Sequence, residues 1–470
     1  MPATAVPANH PKVEIPDDED EAVANCPYLT SQAGATQRLA SVASNGGKVP
    51  RALWWVVFLD IFAVGLVIPL LPRYARELGA GPAYTGALGT AYGLSQLIGA
   101  SVLGRLSDER GRLLVLSASL GGAALGYCGV ALAVGVFHSL PGLFLSRLPI
   151  GVAKQTMTVA RAVISDCTGA HGSLRCRRMS RLGMTAGAGF IFGPALGGIL
   201  SKVSYVAPPL LAVLLFLIAY AVVRAGLPET APARELLRTD GAAKGAKGGT
   251  DADDRPSSWT DGLVRFVELG RRFPLLARLL SARLVVDLGF MLMQSTFAMF
   301  TLERYDLQPR GTGLVLAYVG IVSVVTQGWF LPRVIIGCLR PSERTMLAFG
   351  GGCLALALVA AALSPSMIEF MAALLPLAAA SSTFKTAAAA LASKCVPRTE
   401  QGAASGATDA VESFCRAVAP LIGGLLMERV GSSAPGCIGG ALAAVGALAL
   451  WYIVPVPEDG AKAGEKKKAD

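Results

Sequence analysis

Apolar stretches of about 20 residues recur twelve times along this chain, and no other feature constrains its fold as strongly. At 1.5 Å per residue each is long enough to cross about 30 Å of hydrocarbon. The expected spans are 52–74, 84–106, 113–136, 141–164, 180–201, 205–226, 279–302, 312–336, 345–364, 367–391, 403–427 and 433–454. Of the 470 residues, 53% are hydrophobic and only 16% charged, too few charges to clothe a soluble protein of this size. Abundant Gly and Ala suit helices that pack closely in lipid. The fold class expected is an all-α membrane protein with twelve transmembrane helices in two six-helix pseudo-repeats.

Polar stretches divide the chain. Residues 1–50, with the acidic run Asp17 to Glu21, and 455–470 read as disordered tails. Residues 227–277 read as a linker between an N-terminal bundle, 51–226, and a C-terminal bundle, 278–454. Lys and Arg placement sets the orientation. One side holds Arg110, Arg112, Arg175, Arg177, Arg178, the linker's basic residues, Arg340, Arg344, Lys394 and Arg398. The other holds Arg73, Arg76, Lys202, Arg304, Arg310 and Arg429. The positive-inside rule puts both termini and the linker in the cytoplasm. No basic-then-apolar start marks a cleavable signal peptide, and the three Asn residues form no glycosylation sequon.

The halves repeat. Asp60 and Asp287 are 227 residues apart, and the same offset relates Thr85-Gly86 to Thr312-Gly313, Gly93 to Gly320, and Leu148-Pro149 to Leu375-Pro376. Pro194 and Pro420, each followed by Gly-Gly two residues on, differ by 226. Such an offset across four helix pairs implies two copies of one unit about an axis along the membrane normal, with the substrate path between them.

Three motifs carry a family resemblance. Between spans 2 and 3 stands Gly104-Arg105-Leu106-Ser107-Asp108-Glu109-Arg110-Gly111-Arg112. Span 4 has Arg147 followed by Gly151, and span 5 has Gly189-x-x-x-Gly193-Pro194-x-x-Gly197-Gly198. Together they resemble the signature loop, the intramembrane Arg motif and the antiporter motif of the major facilitator superfamily. Further segments are similar to its tetracycline-type drug:proton antiporters and organic-cation-transporter-like proteins. They are Phe58 to Phe62, Tyr92 to Leu97, Arg147 to Asp166, and Arg416 to Pro420. The loop after span 8, Leu331 to Arg340, lacks the expected Asp, so any gate there is asymmetric. The resemblance implies the major facilitator fold and a secondary transporter. It gives Asp108 the expected role of a conformational latch on span 11, with Asp166 a partner for Arg110 or Arg112. The span 5 motif is expected to pack tightly against span 8.

Charges inside spans are costly unless paired or facing water, which makes them candidate coupling and substrate residues. Arg147, Lys154 and Arg161 recur every seven residues, so one helical face is expected to carry all three. Lys154 lies too deep to snorkel easily. Asp60 lies about 12 Å into span 1, where burial favours a neutral carboxyl and a neighbouring cation favours the carboxylate. It is read either as a proton-coupling group or as a fixed partner of Lys154. Asp287 is expected to pair with Arg283 within its helix. In span 11, Asp409, Glu412 and Arg416 share a face, Glu412 pairing with Arg416 and Asp409 left for a neighbour.

The expected function is therefore alternating-access transport of a small organic solute, proton-coupled and drug or organic-cation antiporter-like, by a monomer in a lipid bilayer. A non-transporting receptor or scaffold is the competing class, and the deep charges argue against it. The net charge of +10 lies in short loops and not in a nucleic-acid-binding patch. The nine Cys form no CxxC pair, so no metal site is expected. No cofactor motif, P-loop or catalytic His, Ser or zinc signature occurs, so neither an enzyme nor an ATP-driven pump is expected.

Overall fold

The computed structural model describes residues 49–168, 172–228, 268–326, 329–330, 342–397 and 400–453. The tail 455–470, nearly all of the tail 1–50, most of the linker and the loop 331–340 lie outside them. The described residues form helices and no strand. The first span is α1 (Arg51–Val67), continued through a 3-10 turn at Ile68–Leu70 into α2 (Leu71–Glu77). Then follow α3 (Pro82–Arg110), α4 (Arg112–Gly135), α5 (Leu140–Ala153), α6 (Thr156–Thr168), α7 (Gly172–Leu200) and α8 (Ala207–Gly226). The second half has α9 (Pro274–Tyr305), α10 (Pro309–Val325), α11 (Glu343–Leu363), α12 (Met367–Lys394), α13 (Gln401–Arg429) and α14 (Ala434–Ile453).

Local chemistry sets these limits. Pro opens α3, α9 and α10, where its missing N–H costs no hydrogen bond. Ser139, Ser342 and Ser366 cap α5, α11 and α12 by accepting backbone N–H bonds of 3.2, 3.2 and 3.3 Å. Two expectations are corrected. The signature stretch Gly104 to Arg112 is not a loop: its first seven residues continue α3, and only Gly111, at φ 110°, turns the chain into α4. Only Gly104 in Gly104 to Arg110 opposes a helix, by about 1 kcal/mol, whereas Gly111 reaches a left-handed φ without a Cβ penalty. Span 4 is also not one rod. It breaks at Lys154–Gln155 into α5 and α6, downstream of Pro149, which leaves α5 one backbone donor short. The seven-residue spacing therefore does not keep three cations on one face: Arg147 and Lys154 are buried, while Arg161 is exposed.

Each half closes over its own core. One is centred on Leu53, Leu66, Leu116, Tyr127 and Phe216, the other on Leu279, Phe300, Leu347, Phe370 and Phe384. Among the described residues, eight helices are long and apolar enough to cross a membrane, the joined α1–α2 counted as one. The expected spans that fall short are α3, the broken α5–α6, α9 and α10. α9 carries charges, α10 is only 17 residues long, and α3 and α10 pack against the opposite half, where polar and small residues replace lipid-facing ones.

Two seams join the halves, α3 against α13 and α7 against α10, and they are copies of each other. A methyl group on Gly86 would collide with the Pro420 carbonyl oxygen, and one on Gly313 with the Pro194 carbonyl oxygen. Gly93 lies against Ala417 and Gly320 against Ile191. These are the positions that the sequence offset equates, so the internal repeat has become a pair of equivalent backbone contacts. Glu428 accepts the Ala83 N–H at 2.9 Å on the first seam, and Thr90 accepts the Leu421 N–H at 3.1 Å. Both seams lie toward the end of the bundle away from the α8–α9 connection. The span 5 motif differs from expectation in one respect. Its Gly189, Gly193 and Gly197 admit the Phe58, Phe62 and Leu66 carbonyls of α1, and only Pro194 and Gly198 meet α10. A Gly every fourth residue puts three on one helical face, so one rod can approach along its whole length.

Candidate functional site

Asp60 of α1 is fully buried, and the structure brings it to Lys154 at the break between α5 and α6. Their side chains form an ion pair. Thr156 donates its hydroxyl to Asp60 Oδ1 at 3.1 Å, and Lys154 Nζ also reaches the Asp60 carbonyl at 3.4 Å. The ammonium sits 5.3 Å from the centre of the Phe216 ring. The break makes this possible, because Lys154 leaves helical backbone and its side chain is not committed to a helical face. A break inside a membrane exposes backbone polar groups that need partners. Gln96 of α3 supplies one by donating to the Lys154 carbonyl at 3.3 Å, and Gln155 donates to the Gln96 carbonyl at 3.0 Å. Removing one partner from such a buried pair costs about 3–5 kcal/mol, because the other charge is left without compensation.

Arg147 is also buried, with its guanidinium 5.4 Å from the Tyr92 ring centre. Its Nε and Nη1 have no hydrogen-bond partner among the described residues. In the second half, Arg283 Nε meets Asp287 Oδ2 at 2.9 Å within α9. Glu412 and Arg416 pair within α13 at 3.0 Å, and Lys385 of α12 approaches the same Glu412 Oε1 at 3.6 Å. Lys385, Glu412 and Arg416 line a cavity of about 260 Å³ together with Gln294 and Ser295 of α9. Met291, Ala419 and Pro420 form its apolar wall. Asp409 lies apart, near the end that carries the α8–α9 connection. There it reaches Arg161 at 3.7 Å between two exposed side chains. In the signature stretch, Arg112 Nε meets Asp166 at 3.1 Å, and Arg112 Nη1 donates to Ser107 at 3.1 Å. Arg110 is exposed, and the side chain of Asp108 lies outside the described residues.

Lys385 and Thr156 were not among the expected site residues. Lys385 is the one charge deep inside the Ala-rich span 10, Glu369 lying at its start, and the rule for charges inside spans was enough to find it. Thr156 had no such signal, since its partner is fixed only by the helix break.

The twelve expected spans, the paired seams and the deep charges can now be set beside known proteins. A family model described as the Major Facilitator Superfamily matches residues 53–341 and 334–469. The chain belongs to this superfamily. It is an integral multi-pass membrane protein and a secondary transporter. The tetracycline resistance protein, class G, of Vibrio anguillarum is 40% identical over 205 residues, 40% of this chain and 51% of that protein. The match thus spans about half the length of that relative. Solute carrier family 22 member 18 of Rattus norvegicus is 27% identical over 412 residues, 86% of this chain and 93% of that protein. The fold is also that of the human organic anion transporter MFSD10, with a TM-score of 0.62 and 21% identity. That match covers 86% of this chain and 98% of the other.

Proposed function

We propose that this superfamily member moves a small organic solute by alternating access and couples the movement to protons, most simply by antiport. The ion pair of Asp60 and Lys154 carries the reading. A carboxylate with no solvent exposure, held by a cation on a different helix, changes its partner when it takes a proton. Protonation releases Lys154, and helix motion follows the change in charge. The relatives named tetracycline resistance proteins support an organic molecule as the solute. The seams sit at one end of the bundle, while the opposite end is bridged by an exposed ion pair. The halves are thus packed backbone to backbone at one end and joined by an exposed side-chain pair at the other, the end expected to part more readily. In the signature stretch, Asp108 fills the place of the latch, and Arg112 with Asp166 ties α4 to α6 beside it.

Purified protein in liposomes is expected to accumulate a radiolabelled solute from a chemically mixed panel when an inside-acid pH gradient is imposed. Collapsing the gradient with a protonophore should return uptake to equilibration. Uptake indifferent to the gradient for every solute that moves would remove the coupling claim.

The basic loops put both termini and the linker on the cytoplasmic side. A single Cys replacing Gly245 of the linker, in a Cys-free background, should escape an impermeant maleimide in intact cells expressing the protein at the surface. It should react after permeabilisation, and labelling of intact cells would invert the topology.

A further inference from the structure

The charges around the cavity do not cancel. Glu412 is one carboxylate serving two cations: Arg416 at 3.0 Å and Lys385 at 3.6 Å, both on the same oxygen, Oε1. The other acidic groups of this region are engaged elsewhere. Asp287 is held by Arg283 within α9, Asp60 by Lys154 in the first half, and Asp409 by Arg161 at the end that carries the α8–α9 connection. The cavity wall itself therefore carries one positive charge more than its carboxylates balance. Across the seam Arg147 adds a second, buried and with two guanidinium nitrogens lacking partners among the described residues. The phenol of Tyr92, on α3, lies within electrostatic range of Arg147, Arg416 and Asp60, the last already paired with Lys154. The two surplus cations thus approach one region from opposite halves.

Uncompensated cations inside a membrane protein are expensive, and a bound counter-ion removes that cost. The rest of the lining is suited to an organic body: Met291, Ala419 and Pro420 are apolar, while Gln294 and Ser295 offer neutral hydrogen-bonding groups. Building on the transport reading above, we propose that the solute is a small organic anion, a carboxylate, sulfonate or phosphate monoester. Its acidic group is held by Lys385 and Arg416, and its apolar part lies against Met291 and Pro420. A cavity of about 260 Å³ suits a solute the size of a small metabolite. Asp287 is matched within its own helix by Arg283, with Lys385 in electrostatic range of it, whereas Asp60 depends on Lys154 from another helix.

The test is ligand-induced thermal stabilisation of the purified full chain in detergent, at constant chloride and ionic strength. The probes share one ring: benzoate, benzenesulfonate and phenyl phosphate as anions, benzamide as the neutral form, benzylamine and phenyltrimethylammonium as cations. At least one anion is expected to raise the Tm by about 3 °C or more at saturation, with no shift from the cations. Lys385→Met and Arg416→Met should each lose most of that shift, and Lys385→Arg should keep it, which separates lost charge from a damaged fold. Stabilisation by the cations alone, by none of the three anions, or by an anion equally in both Met variants overturns the proposal. Binding without flux in liposomes would leave it standing and remove the transport reading. Gradient-driven flux of organic cations with no anion stabilisation would do the reverse.

Discussion

Replacing Asp60 with Asn is expected to abolish accumulation driven by a pH gradient and to lower the yield of folded protein. Both effects come from one contact. The amide cannot give up or take a proton, so coupling is lost outright. It also leaves the Lys154 ammonium buried without a counter-charge, a cost of about 3–5 kcal/mol against a typical total stability of about 5–15 kcal/mol. The double variant Asp60→Asn/Lys154→Met separates the two. It removes the stranded charge and should recover most of the lost thermal stability while staying uncoupled. Solute flux down its own gradient should return with the fold. Liposome uptake with and without an imposed gradient, read beside Tm, gives the answer. If Asp60→Asn still concentrates solute against its gradient, Asp60 is not the coupling group, and Glu412 or Asp409 takes its place.

Gly313→Ala and Gly86→Ala are expected to force open the seams and shift the carrier toward its other state. A methyl group at either site meets a proline carbonyl oxygen, Pro194 in one seam and Pro420 in the other. Neither neighbour is a flexible side chain that could swing aside. Overpacking of this kind costs about 1–3 kcal/mol, which changes the ratio of two conformations by roughly 5- to 150-fold. The alternative conformation, in which the seams separate, does not bear that cost. Spin labels at Arg76 and Val430, both exposed near the sealed end on opposite halves, would report it as a longer distance. A distribution unchanged in both variants would mean that the seams do not part during the cycle. The pseudo-symmetry makes a stricter demand: the two substitutions should act in the same direction and to a similar degree.

Much of this architecture can be read from composition and spacing alone, because lipid imposes rules that single residues obey. The spans follow from hydropathy, the repeat from a constant offset, and the ion pairs Arg283–Asp287 and Glu412–Arg416 from i, i+4 spacing. Asp166 as a partner of Arg112 follows from the motif it sits beside. What spacing could not supply was anything that depends on a departure from the helix. The break at Lys154–Gln155 cancels the periodicity on which one face for Arg147, Lys154 and Arg161 was argued. Pro149 and Gly151 were signals of weakness there, but a proline inside a membrane helix often leaves the rod continuous, as Pro194 and Pro420 do here. The sharing of Glu412 between two cations was hidden for another reason. It joins α12 to α13, and contacts across helices have no fixed spacing in sequence.

The two halves carry equivalent carboxylates, Asp60 and Asp287, with unlike partners. Arg283 and Asp287 ride on one rigid helix, so their separation stays the same however the helices rock. Such a pair registers nothing about the cycle. Asp60 and Lys154 belong to different rods, and Lys154 stands at a joint besides, so any relative motion of those rods stretches or relaxes their contact. A gauge needs two frames of reference, and of these two equivalent carboxylates only Asp60 has both. Of the two equivalent carboxylates, one is thus strung across a joint and the other clamped inside a single rod.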